Sequence, residues 1–162
     1  MSIIKKTIFL FFITFLLNTN AFSQEVKKIG KYKDWETIVF IDGNNKICFA
    51  QSVPVLQAPK KNPRDARLFV SFRPNDKILD EVSITSGYEY NDQNSTTATS
   101  GKSKYKFDIV RENFAWISES KVEKKMIKTL KKGSRIMVTG YNKSGSQTID
   151  HYSLLGFTKA YN

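Results

Sequence analysis

The chain has 162 residues, with 26 Lys and Arg against 15 Asp and Glu, one His and one Cys. That length holds one domain rather than two, and a lone cysteine excludes an intramolecular disulfide. One His and one Cys in the whole chain also argue against a zinc site. The formal charge of +11 could favour anionic partners. Yet only five of the basic residues are Arg and the Lys are scattered, which suits a solvated Lys-rich surface.

Residues 1–23 read as a secretory signal peptide. Lys5 and Lys6 form a basic start, residues 7–17 an apolar run of eleven, and Ala21 and Ser23 put small residues ahead of a cut between Ser23 and Gln24. A bilayer-spanning helix takes about 20 apolar residues, so no transmembrane helix is expected in the mature chain 24–162. Residues 24–33 are polar and basic and read as a lead-in. Residues 37–41 and 46–52 are β-branched and aromatic and flank Asp42-Gly43-Asn44-Asn45, strong turn chemistry, so they predict a hairpin. Cys48 lies in an apolar run and is expected to be buried as a small hydrophobe. Residues 53–65 hold Pro54, Pro59 and Pro63 and read as an extended loop.

Arg67–Arg73 alternates, with Leu68, Val70 and Phe72 on one face and Arg67, Phe69, Ser71 and Arg73 on the other. Residues 81–86 are a further strand with Val82 and Ile84 inward. Residues 96–99 and 105–110 predict a second hairpin across Ser100-Gly101-Lys102, and residues 114–117 another strand. Trp35 and Trp116 are taken as core. Ser120 and Glu123 have the spacing of a capping box at the start of a helix. Val122, Met126, Ile127 and Leu130 form its apolar stripe, and Gly133 its left-handed stop. Arg135–Tyr141 and Gln147–Ser153 form a last hairpin, and residues 154–161 a short helix or an irregular tail. The whole predicts a mainly β, single-domain antiparallel β-sandwich or barrel with one α-helix near the C-terminus.

Little chemistry is legible. His151 sits between Asp150 and Tyr152 with Ser153 nearby, but neighbours on a strand point to opposite faces, so no Ser-His-Asp triad forms. Asp80, Glu81, Asp108 and Asp150 are carboxylates a glycosidase could pair, although nothing in the spacing pairs them. Gly140 to Gly145 lacks the Gly-Lys-Ser/Thr ending of a phosphate loop. Tyr105-Lys106-Phe107 comes nearest to a nucleic-acid surface, and its alternation fits core-in, charge-out. No catalytic residue, cofactor site, metal site or nucleic-acid partner is expected. The exposed aromatics expected to meet a partner are Tyr88 and Tyr90, at a turn edge beside the proline-rich loop.

Several motifs follow one another in a recognisable order. They are Asp34-Trp35, the run Lys46 to Pro54, Phe72-Arg73-Pro74, the run Glu81 to Ile84, and Gly87-Tyr88. Ala115-Trp116-Ile117, Lys132-Gly133 and the run Gly145 to Phe157 complete the set. It resembles the invasion-associated locus B family of exported alphaproteobacterial proteins, and the resemblance covers nearly all of the mature chain. The resemblance implies a β-rich periplasmic or secreted protein with no established enzymatic activity, associated in pathogenic members with host-cell entry. Many members carry a cysteine soon after the Asp-Trp motif that could pair with the one matching Cys48; this chain has none there. The expected function is a non-enzymatic envelope-associated or binding protein whose partner is an envelope or surface component. The alternatives are a periplasmic hydrolase of envelope glycan or peptide using a carboxylate pair, and an anion-binding basic surface module.

Overall fold

The first hairpin is longer than its sequence signature. In a computed structural model that describes residues 24–162, β1 (Gln24–Tyr32), β2 (Trp35–Asp42) and β3 (Asn45–Ser52) run as a meander. The segment read as a lead-in is therefore a strand. Its outward Lys and Glu hide the alternation, because β1 is an edge with both faces largely in water. The expected signal peptide and its cut after Ser23 lie outside the described residues.

Next come β4 (Leu56–Ala58), within the proline-rich loop, then β5 (Arg67–Arg73), β6 (Ile78–Thr85), β7 (Thr96–Ser100) and β8 (Ser103–Phe107). The chain continues through β9 (Ile109–Arg111), β10 (Phe114–Trp116), helix α1 (Ser120–Lys132), β11 (Arg135–Tyr141), β12 (Gln147–Ser153) and helix α2 (Phe157–Tyr161). All recorded pairings are antiparallel, in a seven-stranded sheet of order β1-β2-β3-β5-β6-β10-β9 and a five-stranded sheet of order β4-β12-β11-β7-β8. The two sheets make a sandwich and no closed barrel. Leu68, Val70, Val82 and Ile84 of the first face Ala98, Ile136, Val138 and Tyr152 of the second in one buried core. Each large aliphatic buried this way contributes about 1.5–3 kcal/mol.

Five local expectations are corrected. The strand expected over 105–110 is two strands in different sheets. The Asp108 N–H donates to the Trp116 carbonyl (3.0 Å) and the Asp108 carboxylate accepts the Ser118 N–H (2.9 Å), so the chain crosses from one layer to the other at that residue. At the start of α1 no side chain caps the helix: the N-cap is Glu119, and Glu123 turns away to accept the Val82 N–H at 2.9 Å. Strand β10 stops opposite Ser83, and Glu123 takes the next ladder donor. Gly133 ends the helix with φ −82° and not in a left-handed turn. Its lack of a side chain serves packing instead, since a Cβ would stand 3.0 Å from both the Leu154 side chain and the Thr129 carbonyl. Cys48, expected to be buried, is only half-buried, near the outer end of the β2–β3 hairpin. Trp35 is fully buried, whereas Trp116 is half-buried on the outer face.

Candidate functional site

Tyr90 corrects the expectation of an exposed tyrosine pair. Only 7% of it is exposed, and its hydroxyl donates to Ser86 Oγ at 2.9 Å. Its ring meets Tyr88 edge-on at 5.4 Å, and the Tyr88 hydroxyl shares a hydrogen bond of 2.6 Å with Thr148. Burial pushes both phenols above their usual range. Gly140, an unlikely residue for a central strand, makes room for them: a Cβ there would lie 2.8 Å from the Tyr88 hydroxyl and 3.1 Å from the Tyr90 ring. Tyr90 thus belongs to the packing between the layers, and Tyr88 is half-buried beside it.

The same region holds a polar core that the sequence did not announce. Asp150 points inward and is gripped by both terminal nitrogens of Arg64, at 2.6 and 3.0 Å. Arg64 also donates to the Ser86 carbonyl, and the Gln57 side chain bonds both the N–H and the carbonyl of Arg64 (3.0 Å each). Burial pushes the Asp150 carboxyl up while Arg64 pulls it down. His151 lies on the opposite face, as alternation predicts, so Asp150 and His151 do not act together.

The carboxylates singled out as a possible pair are each engaged separately. Asp80 accepts the Tyr161 hydroxyl, Glu81 is held by Arg73 at 2.7 and 2.9 Å, Asp108 holds Ser118, and Asp150 holds Arg64. One unforeseen juxtaposition does arise. Glu81 and Glu123 both line an open groove of about 480 Å³, with Arg73, Arg111, Trp116 and Ser120 also on its walls. Desolvation, opposed by the Val82 N–H and reinforced by Glu81 and Asp80, raises the Glu123 carboxyl above its ordinary range. Among the described residues no group of three His, Cys, Asp or Glu gathers to hold a metal.

Trp116 joins that groove to a larger surface. Directly paired residues of an antiparallel sheet share a face, which puts Phe49, Phe69, Phe114 and Trp116 together on the outer side of the seven-stranded sheet. Their rings follow one another at 5.8, 6.2 and 5.7 Å. Arg67, Arg73 and Arg111 share this face, the first two in ion pairs with Asp65 and Glu81. Both helices bury their apolar residues in the core between the sheets, so among the described residues they do not cover this row, whose four rings are each half-buried. The Phe69 side of β5 was legible in the alternation. The row was not, because strand order decides which aromatics become neighbours.

Among the described residues no helix is long and apolar enough to cross a membrane. A search of curated proteins and a search of solved structures each return no match. The family model described as invasion associated locus B (IalB) protein matches residues 35–162, from the start of β2 through the last residue of the chain. That match covers well over half of the sequence and every strand except β1, and the family's members are in general exported. The ordered motifs, the two-layered β-fold and the matched span agree: the chain belongs to the invasion associated locus B family.

Proposed function

We propose that the protein acts after export as a non-enzymatic binding module of the bacterial envelope, holding a protein partner against the outer face of its seven-stranded sheet. The observation that carries this reading is the outer-face row Phe49, Phe69, Phe114 and Trp116 with its flanking arginines. Aromatic residues and Arg are the side chains enriched at protein–protein hot spots, the aromatics because each removes a large area from water for few frozen torsions. A row fixed on adjacent strands is preorganised, which lowers the ordering cost of binding. The test is capture of a partner from the organism's own envelope extract, followed by titration of that partner. Phe69→Ala and Phe114→Ala should each weaken binding at least tenfold, while Tyr88→Phe leaves it unchanged. Equal affinity for all three variants would remove the sheet face from consideration.

A hydrolase is the second reading, and Glu81 and Glu123 lining one groove favour it. A carboxyl with raised pKa beside a second carboxyl is the pattern of an acid and its partner. Two features weigh against it. Arg73 engages both oxygens of Glu81, and Glu123 is committed to the Val82 N–H. Release of soluble fragments from envelope glycan by the native protein, lost in both Glu81→Gln and Glu123→Gln, would replace the binding reading.

A further inference from the structure

A different surface forms where the end of α1, the β1–β2 turn and the start of α2 meet. Leu155 stands there with 59% of its surface exposed. It forms a shared wall of two open hollows of about 610 and 670 Å³. The first is lined by Lys31, Lys33, Lys131 and Lys159, the second by Lys132 and Arg135 together with His151. Neither lining contains an Asp or a Glu. Among the described residues only Lys31 of these cations is in an ion pair, with Glu36 at 4.0 Å, although Asp34 follows Lys33 and lines an adjacent hollow with it. Lys131 is held in place by the Tyr161 ring, its ammonium 3.8 Å from the centroid.

The leucine is rigidly presented. Its carbonyl accepts the Asp34 N–H at 3.2 Å, and its own N–H donates to Ser153 Oγ at 3.3 Å. The next residue, Gly156, has φ +95° and packs so closely that a Cβ would lie 1.7 Å from the Tyr32 carbonyl oxygen. Across this contact Lys33 holds φ +58°, a left-handed conformation rare for a residue with a side chain. The two turns therefore lock together and hold an apolar tip out among cations.

A linear polyanion would use the lysines but has no use for an exposed leucine at their centre. A membrane surface uses both: the apolar tip enters between headgroups while ammonium groups meet phosphates. We infer that the protein docks reversibly on an anionic phospholipid bilayer through Leu155 and the ring of lysines around it. This surface shares no residue with the aromatic row, so the two readings stand or fall separately.

The test is co-sedimentation of the chain from Gln24 onward, which contains every strand and helix described, with two kinds of vesicle. One is an equimolar mixture of phosphatidylglycerol and phosphatidylcholine, the other phosphatidylcholine alone. Binding is expected to the first and not the second, falling steeply as salt is raised. Lys33→Gln/Lys131→Gln/Lys159→Gln should weaken it on the order of a hundredfold, at about fivefold per charge. Lys33→Gln/Lys159→Gln, which keeps the Tyr161 contact, should lose about 25-fold on the same basis. Leu155→Ser should lose several-fold at every salt concentration, and Lys104→Gln/Lys106→Gln on β8 should change nothing. The inference is overturned by equal sedimentation with both vesicles or with neither. It is also overturned if the β8 pair matters as much as Lys33 and Lys159. An unchanged Leu155→Ser variant, with binding stripped by heparin, would assign the cations to a polyanionic glycan instead.

Discussion

Asp150 and Arg64 are charged side chains with almost no exposure, 1% and 10%, and each depends on the other. Removing one partner of such a pair leaves a desolvated charge behind, which costs about 3–5 kcal/mol. Asp150→Ala should lower the urea midpoint accordingly, and Arg64→Met/Asp150→Leu should recover much of the loss. The sequence showed only that Asp150 and His151 point to opposite faces of β12, not which of them turns inward. Arg64 was not legible, because it lies in a proline-rich loop where spacing carries no periodic information. The grip that orients it comes from Gln57, seven residues away, and from Asp150, 86 residues away. Tyr90 was misplaced for a related reason. Residues 88 and 90 have the composition of a turn edge, and the absent side chain of Gly140, on another strand, makes the space that buries Tyr90 and half-buries Tyr88.

Helix α1 was read correctly in its extent and its apolar stripe, and wrongly at its N-terminal cap and its left-handed stop. Met126, Ile127 and Leu130 are buried as the 3.6-residue period requires. The pair Ser120 and Glu123 had the right spacing for a cap, but a tertiary donor competed for the carboxylate and won. Ser120→Ala should therefore change stability by no more than about 0.5 kcal/mol, where a working N-cap would cost about 1 kcal/mol. Glu123 gives the opposite contrast. Its folded-state pKa lies above the unfolded value near 4.5, so the fold holds its proton more tightly than the unfolded chain does. The stability this contributes is complete below the unfolded pKa and is lost as pH rises through the folded one. Measured by urea unfolding, the native protein should weaken relative to Glu123→Gln as pH rises above about 4.5. A gap that closes on the alkaline side would show that the Val82 hydrogen bond outweighs burial.

At the scale of the molecule, composition and alternation sufficed for an antiparallel β-sandwich or barrel with one helix near the C-terminus, and motif order sufficed for the family. Strand order could not be read. It follows from crossings such as the one at Asp108, which a two-residue period cannot signal. The order matters because it decides which strands are edges: β1 and β9 in one sheet, β4 and β8 in the other. An edge offers unpaired backbone groups to any passing strand, and lysines are a common guard. Strand β1 carries Lys27, Lys28 and Lys31 beside the exposed Val26 and Ile29, with a break in register between Lys28 and Gly30. Lys27→Thr/Lys28→Thr/Lys31→Thr should leave the unfolding midpoint nearly unchanged and raise light scattering on concentration. A soluble, monodisperse triple variant would show that the twist alone protects this edge.

The last segment of the chain reaches back to the first. The Trp35 indole donates to the Ser153 carbonyl, 118 residues later, and the Thr37 hydroxyl to the Ala160 carbonyl. The Asp34 N–H meets the Leu155 carbonyl, and the Val55 N–H the His151 carbonyl. A polypeptide that emerges N-terminus first holds β1 to β3 in hand long before the residues that cover Trp35 arrive. For that interval a tryptophan destined for complete burial faces solvent, and β4 has no strand to join. Contacts this distant in sequence close slowly. The time spent waiting for β12 and α2 is thus when the chain is most open to proteases, to holding chaperones and to other copies of itself.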